Sequence, residues 1–109
     1  MTELSLGIAE NNQTISVSVG DLIQIVLHQN AASSGFEWGV VSFSADALAF
    51  ESRMIREGGG GEIGSGQQDV VFRFQVNQEG AGFVELGLSR GNPKVSSNFK
   101  FRVGLDISA

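Results

Sequence analysis

At 109 residues, with 41% hydrophobic and 17% charged side chains, the chain has the composition of a soluble globular protein and the length for one hydrophobic core but not two. With no Cys, a disulfide framework, a thiolate metal site and a cysteine nucleophile are excluded, and the redox compartment stays open. A formal charge of −5 argues against nucleic acid or an anionic membrane surface as partner, since both need clustered Lys and Arg, and leaves a protein partner as the easier expectation.

Met1-Thr2-Glu3-Leu4-Ser5 has no basic segment followed by an apolar one, so no secretory signal is read; the expectation is a cytoplasmic protein or a processed exported form. No apolar run approaches the roughly 20 residues of a membrane-spanning helix. Leu4, Leu6 and Ile8 alternate with polar or small residues and predict a short first strand. Ile15, Val17 and Val19, alternating with Thr14, Ser16 and Ser18, predict a second. Gly20-Asp21 is a tight turn, and the branched run Leu22 to His28 is a third strand. After the small, polar stretch from Asn30 to Gly35, the residues Phe36 to Phe43 read as a half-buried fourth strand carrying Trp38, Val40, Val41 and Phe43. Ser44-Ala45-Asp46 links this to a fifth segment, Ala47 to about Arg56.

Six glycines then fall within Glu57 to Gln68, too many for regular structure. Beyond them, Asp69 to Asn77 carries Phe72, Phe74 and Val76 on one face, Gln78 to Gly82 reads as a turn, and Val84, Leu86 and Leu88 alternate through a seventh strand. Ser89 to Ser97 is a third long loop and holds the single Pro. The clearest alternation is the last, where Phe99, Phe101, Val103, Leu105 and Ile107 interleave with Asn98, Lys100, Arg102, Gly104 and Asp106. Short strands at this spacing, with no helical stripe, predict an all-β fold: an immunoglobulin-like antiparallel β-sandwich of seven to eight strands, with residues 1–109 as a single domain.

Strand parity carries this reading towards function. If consecutive strands run antiparallel, the connections Gln29 to Gly35, Glu57 to Gln68 and Arg90 to Ser97 share one end, and the tight turns share the other. Three long loops converging on a rigid scaffold form a binding edge. Phe36 leads into the fourth strand, and Gly35 is expected at positive φ where the loop re-enters the sheet.

Other chemistry is poorly supported by the same residues. Gly58 to Gly66 lacks the Gly-Lys-Ser/Thr ending and following helix of a phosphate cradle. His28 with Ser33 or Ser34 has no third group to complete a catalytic set, so a surface imidazole is expected. Glu57, Glu62 and Asp69 fit no calcium-ligand spacing and are read as solvated acids, with no metal site. Trp38, Phe72, Phe74, Phe99 and Phe101 are assigned to the core.

Ser33-Ser34-Gly35-Phe36-Glu37-Trp38 resembles the Asn-Pro-Thr-Thr-Gly-(Tyr/Phe)-x-Trp motif of chagasin-like inhibitors of papain-family cysteine proteases. Gly64-Ser65-Gly66 is similar to that family's central Gly-x-Gly-Gly, and Arg90 falls where it places Arg-Pro-Trp. Ala31 and Ala32 stand in place of Asn and Pro, Gln67 in place of the final Gly, and Gly91-Asn92 in place of Pro-Trp. The resemblance implies a reversible, competitive inhibitor and no enzyme, monomeric when free, that needs no cofactor and fills a protease cleft with three loops. It implies contact through Ala31, Ala32, Ser33, Ser34, Gly35 and Phe36 over the catalytic cysteine and histidine. Gly64, Ser65 and Gly66, with Arg90, Gly91 and Asn92, would take the flanks. The alternative is a non-inhibitory immunoglobulin-like module that recognises a protein or glycan through the same loops.

Overall fold

The computed structural model describes residues 2–29, 35–57, 68–90 and 99–109, and these form eight strands in two four-stranded sheets. They are β1 (Glu3–Leu6), β2 (Thr14–Ser18), β3 (Leu22–Gln29), β4 (Glu37–Phe43), β5 (Leu48–Glu57), β6 (Gln68–Val76), β7 (Gly80–Ser89) and β8 (Phe99–Ser108). One sheet has the order β1-β3-β6-β5 and the other β2-β8-β7-β4. The expected all-β sandwich is borne out. Four of its six pairings are antiparallel, while β1/β3 and β2/β8, on one side of each sheet, run parallel. Parity explains the difference: strands of like parity point the same way, and the chain crosses between sheets on entering and leaving β2, so β1 meets β3 directly.

Inward positions follow the period-2 pattern. Ile23, Ile25 and Leu27 of β3 and Val70, Phe72, Phe74 and Val76 of β6 face Val84 and Leu86 of β7 and Phe101, Val103 and Leu105 of β8, all essentially without solvent contact. Burial of this kind, at about 25 cal/mol per Å² of apolar surface, is the main term holding two sheets together. Several boundaries differ from expectation, three of them instructively. The first strand ends at Leu6, and exposed Ile8 opens a 3-10 turn over Ile8–Glu10 that Glu10 fastens by accepting a hydrogen bond from the Gly7 amide at 3.0 Å. The second ends at Ser18, leaving Val19 exposed beside the turn. The seventh begins at Gly80, because Gly80, Ala81 and Gly82 pair with Ile107, Asp106 and Leu105 and continue the ladder where a turn was expected.

The end opposite the long loops is fastened by Asp21. Its two carboxylate oxygens accept the backbone amides of Thr2 at 3.1 Å and Ser18 at 2.9 Å, while its own amide donates to the Ser18 carbonyl and its carbonyl accepts from Val76. Asp21 is buried, and its loss would leave two amides without their acceptor. Asp21→Ala is expected to lower stability by about 1–3 kcal/mol, read as a fall in the thermal midpoint of roughly 4–8 °C per kcal/mol for a domain near this size. An unchanged midpoint would remove Asp21 from this role.

Candidate functional site

The last inward position of β3 is polar. Ile23, Ile25, Leu27 and Gln29 alternate in one series, so the pleat carries the Gln29 amide into the mouth of the sandwich, where it is buried. Its Oε1 accepts the backbone amide of Trp38 at 2.9 Å, and its Nε2 donates to Oε1 of Gln68 at 2.9 Å. Trp38, with 4% exposure, donates from Nε1 to the His28 carbonyl at 2.8 Å and receives the Nε–H of Arg53 on its own carbonyl at 3.0 Å. The Arg53 guanidinium in turn sits 5.9 Å from the Phe72 ring centroid. One side chain thereby ties the end of β3 to the starts of β4 and β6, across the two sheets.

Register places every loop stem at this end. Gln29 pairs with Gln68, which pairs with Glu57; in the other sheet Glu37 pairs with Ser89, and Leu88 with Phe99. The strand ends flanking residues 30–34, 58–67 and 91–98 are therefore together, as parity required. Above them Gly35 has φ +76°, the left-handed conformation expected of it. The Arg90 guanidinium lies over the Phe36 ring, 4.7 Å from its centroid, and a Cβ on Gly35 would be 3.7 Å from Arg90 Nε. Gly35, Phe36 and Arg90 are thus brought together from two different loops. Ala31, Ala32, Ser33, Ser34, Gly64, Ser65, Gly66, Gly91 and Asn92 lie outside the described residues.

Beside this end, on the outer face of the first sheet, His28 Nδ1 meets Asp69 Oδ1 at 2.5 Å and Arg56 Nη2 approaches Asp69 Oδ2 at 3.9 Å. The His28 side chain is 81% exposed, in line with a surface imidazole. Asp69 departs from its reading as a solvated acid: its side chain is 18% exposed and engaged by the His28 ring and the Arg56 guanidinium, because antiparallel register sets it directly between the two residues. Phe99, assigned to the core from its alternation, is 47% exposed, since it stands where the inward face of β8 runs out into solvent. Gln29 and Gln68 escaped the sequence reading. The signal was present in Gln29, a polar residue continuing an inward apolar series.

Residues 16–105 match the family model described as chagasin family peptidase inhibitor I42. The chain belongs to the chagasin family of peptidase inhibitors. The resemblance read from three short motifs is borne out, and with it an inhibitor of cysteine proteases and not an enzyme. Among solved structures, the fold is similar to the cysteine protease inhibitor EhICP2 from Entamoeba histolytica, with a TM-score of 0.82 and 21% identity over 97% of this chain and 96% of that one. It is also similar to amebosin, with a TM-score of 0.74 and 23% identity over 97% and 98% of the two chains. PbICP-C, solved in complex with falcipain-2, aligns with a TM-score of 0.65 and 15% identity over 96% of this chain and 98% of that one. At these identities the likeness carries the fold alone. No curated protein sequence matches significantly.

The Gln29 bridge generates a prediction. Gln29→Leu keeps the volume roughly constant but strips the Trp38 amide and the Gln68 side chain of a partner in a water-poor site. Stability is expected to fall by about 1–3 kcal/mol, measured by denaturant unfolding, and the emission of the single Trp should shift to the red as the mouth loosens. A variant as stable as the parent, with unaltered emission, would show that the bridge does not hold the loop stems.

Proposed function

We propose that this chain, acting as one monomeric domain over residues 1–109, inhibits papain-family cysteine proteases reversibly and competitively by placing three loops from one end of the sandwich in the active-site cleft. The observation that carries this reading is the Arg90 guanidinium lying over Phe36 beside Gly35, which couples two of the three loops at their stems. A loop that enters a cleft pre-shaped loses less conformational freedom on binding than a free segment, and so retains more of the contact energy as affinity. The approach of PbICP-C to falcipain-2 within the same fold supports a protease partner here.

In this arrangement the segment from Ala31 to Phe36 lies over the catalytic cysteine and histidine. Ser33 and Ser34 donate hydrogen bonds there, and Gly35 permits close approach of the backbone. Gly64, Ser65 and Gly66 take one flank of the cleft; Arg90, Gly91 and Asn92 take the other. The thiolate meets no correctly placed scissile carbonyl, so the cleft is occluded without turnover. No cofactor and no covalent step is required.

The test is an inhibition assay against a panel of papain-like enzymes, with the chain analysed by mass afterwards. Competitive, reversible inhibition with the chain recovered intact is expected; steady cleavage between Asn30 and Phe36 would sink the occlusion mechanism. A loop variant checks the wedge. In Gly35→Val a β-branched residue must adopt φ +76°, which costs on the order of 1–2 kcal/mol, so inhibition should weaken about tenfold. Equal inhibition by Gly35→Val would mean that this loop is not the wedge.

A further inference from the structure

The sequence offers the binding end few aromatic side chains. Across the segments 29–36, 57–68 and 90–98 there is one, Phe36, and it lies under the Arg90 guanidinium. Protein interfaces depend on large rigid side chains that fill pockets at their centre, with Trp, Tyr and other aromatics over-represented. Phe99 supplies what the loops lack. It is the first residue of β8, directly opposite Leu88 and thus one rung from Ser89 and two from Arg90. Its inward series, Phe101, Val103, Leu105 and Ile107, is buried throughout, yet Phe99 itself is 47% exposed.

The exposed ring is also held in place. Trp38 meets it edge to face, with centroids 6.0 Å apart and planes at 86°, and Trp38 is in turn fixed by its hydrogen bonds to His28 and Gln29. A half-exposed aromatic on a rigid mount costs little side-chain entropy to bury a second time. Phe50 provides the contrast. It is 42% exposed, but it packs against Phe43 and Phe74 towards the other end of the sandwich, where Leu48 pairs with Val76.

We infer that Phe99 is an affinity- and specificity-determining contact of the inhibitor, inserting its exposed edge into an apolar recess on the protease beside the catalytic cleft. The inference rests on the occlusion reading and extends it to a residue outside the three loops. Its consequence for specificity is direct: enzymes with a polar or filled surface at that recess are inhibited less than enzymes with an apolar one.

Three variants of the full chain test it against papain. Phe99→Ala should raise the inhibition constant at least about tenfold, as truncation of an interface anchor does. Phe99→Leu, which keeps apolar cover on Trp38, should lie between the two, and Phe50→Ala should inhibit as the parent does. Because the parent has no Cys, Phe99→Cys and Phe50→Cys each give a single labelling site for an environment-sensitive fluorophore. Mixed with papain whose catalytic thiol has been blocked, the label at position 99 should shift to the blue and that at 50 should not. A parent that fails to inhibit any papain-like enzyme would overturn the occlusion reading and this inference with it. A parent that inhibits, with Phe99→Ala and Phe99→Leu equally potent and the label at 99 silent, would overturn this inference alone. Equal losses from Phe99→Ala and Phe50→Ala would assign the effect to stability and likewise overturn it.

Discussion

The amide of Trp38 has to find an acceptor in the interior, and the one it finds belongs to a side chain of another strand. An unsatisfied buried N–H costs roughly 1–3 kcal/mol, so the contact with Gln29 Oε1 constrains the geometry of everything around it. Sheets in a sandwich are otherwise joined by apolar packing, which is non-directional and tolerates sliding. Here a directional bond crosses from β3 to β4, continues through the Gln29 amide nitrogen to Gln68 on β6, and is braced by the indole N–H on the His28 carbonyl. Loop stems on both sheets are thereby locked in one frame, at the end where a rigid frame has a use.

Arg53 extends the same frame to the open side of the molecule. It lies on the edge strand β5, yet its Nε–H reaches across to the Trp38 carbonyl and its guanidinium covers the edge of the core at Phe72. A long cationic side chain thus closes the gap between β4 and β5 with its stem and satisfies a carbonyl with its head. The chain carries its charge economically in this region. On the outer face Asp69 meets the His28 ring and the Arg56 guanidinium, so the stem of the 58–67 connection is flanked by partnered groups.

Much of this was legible because period 2 is a strong signal when it is sustained. The run from Phe99 to Ile107 alternates without a break, and its inward set is the one that the structure buries, apart from its first member. Loop parity survived even where pairing did not follow expectation, since the parallel β1/β3 and β2/β8 ladders still join strands of like parity. Sheet membership was not legible, because alternation states which side of a strand is apolar and not which neighbour it has. Phe99 was misplaced for a related reason: periodicity gives a face, whereas exposure depends on how far along that face the opposing sheet extends. Gln29 was hidden because the third strand was ended at His28 and Gln29 given to the loop, although it continues the inward series of Ile23, Ile25 and Leu27. Asp69 became visible only through register, which no local pattern contains.

The two strands that close one side of the sandwich, β4 and β5, each carry an irregularity, between Val40 and Ser42 in one and between Phe50 and Ser52 in the other. Bulges at sheet edges are usually read as protection against edge-to-edge association. For a protein whose partner is a protease they have a second meaning. An endopeptidase recognises extended backbone, and the ten-residue β5 is the longest edge strand among the described residues. Breaking the run at Phe50 to Ser52 shortens the regular stretch on either side, so this flank offers a protease little regular extended backbone to grip.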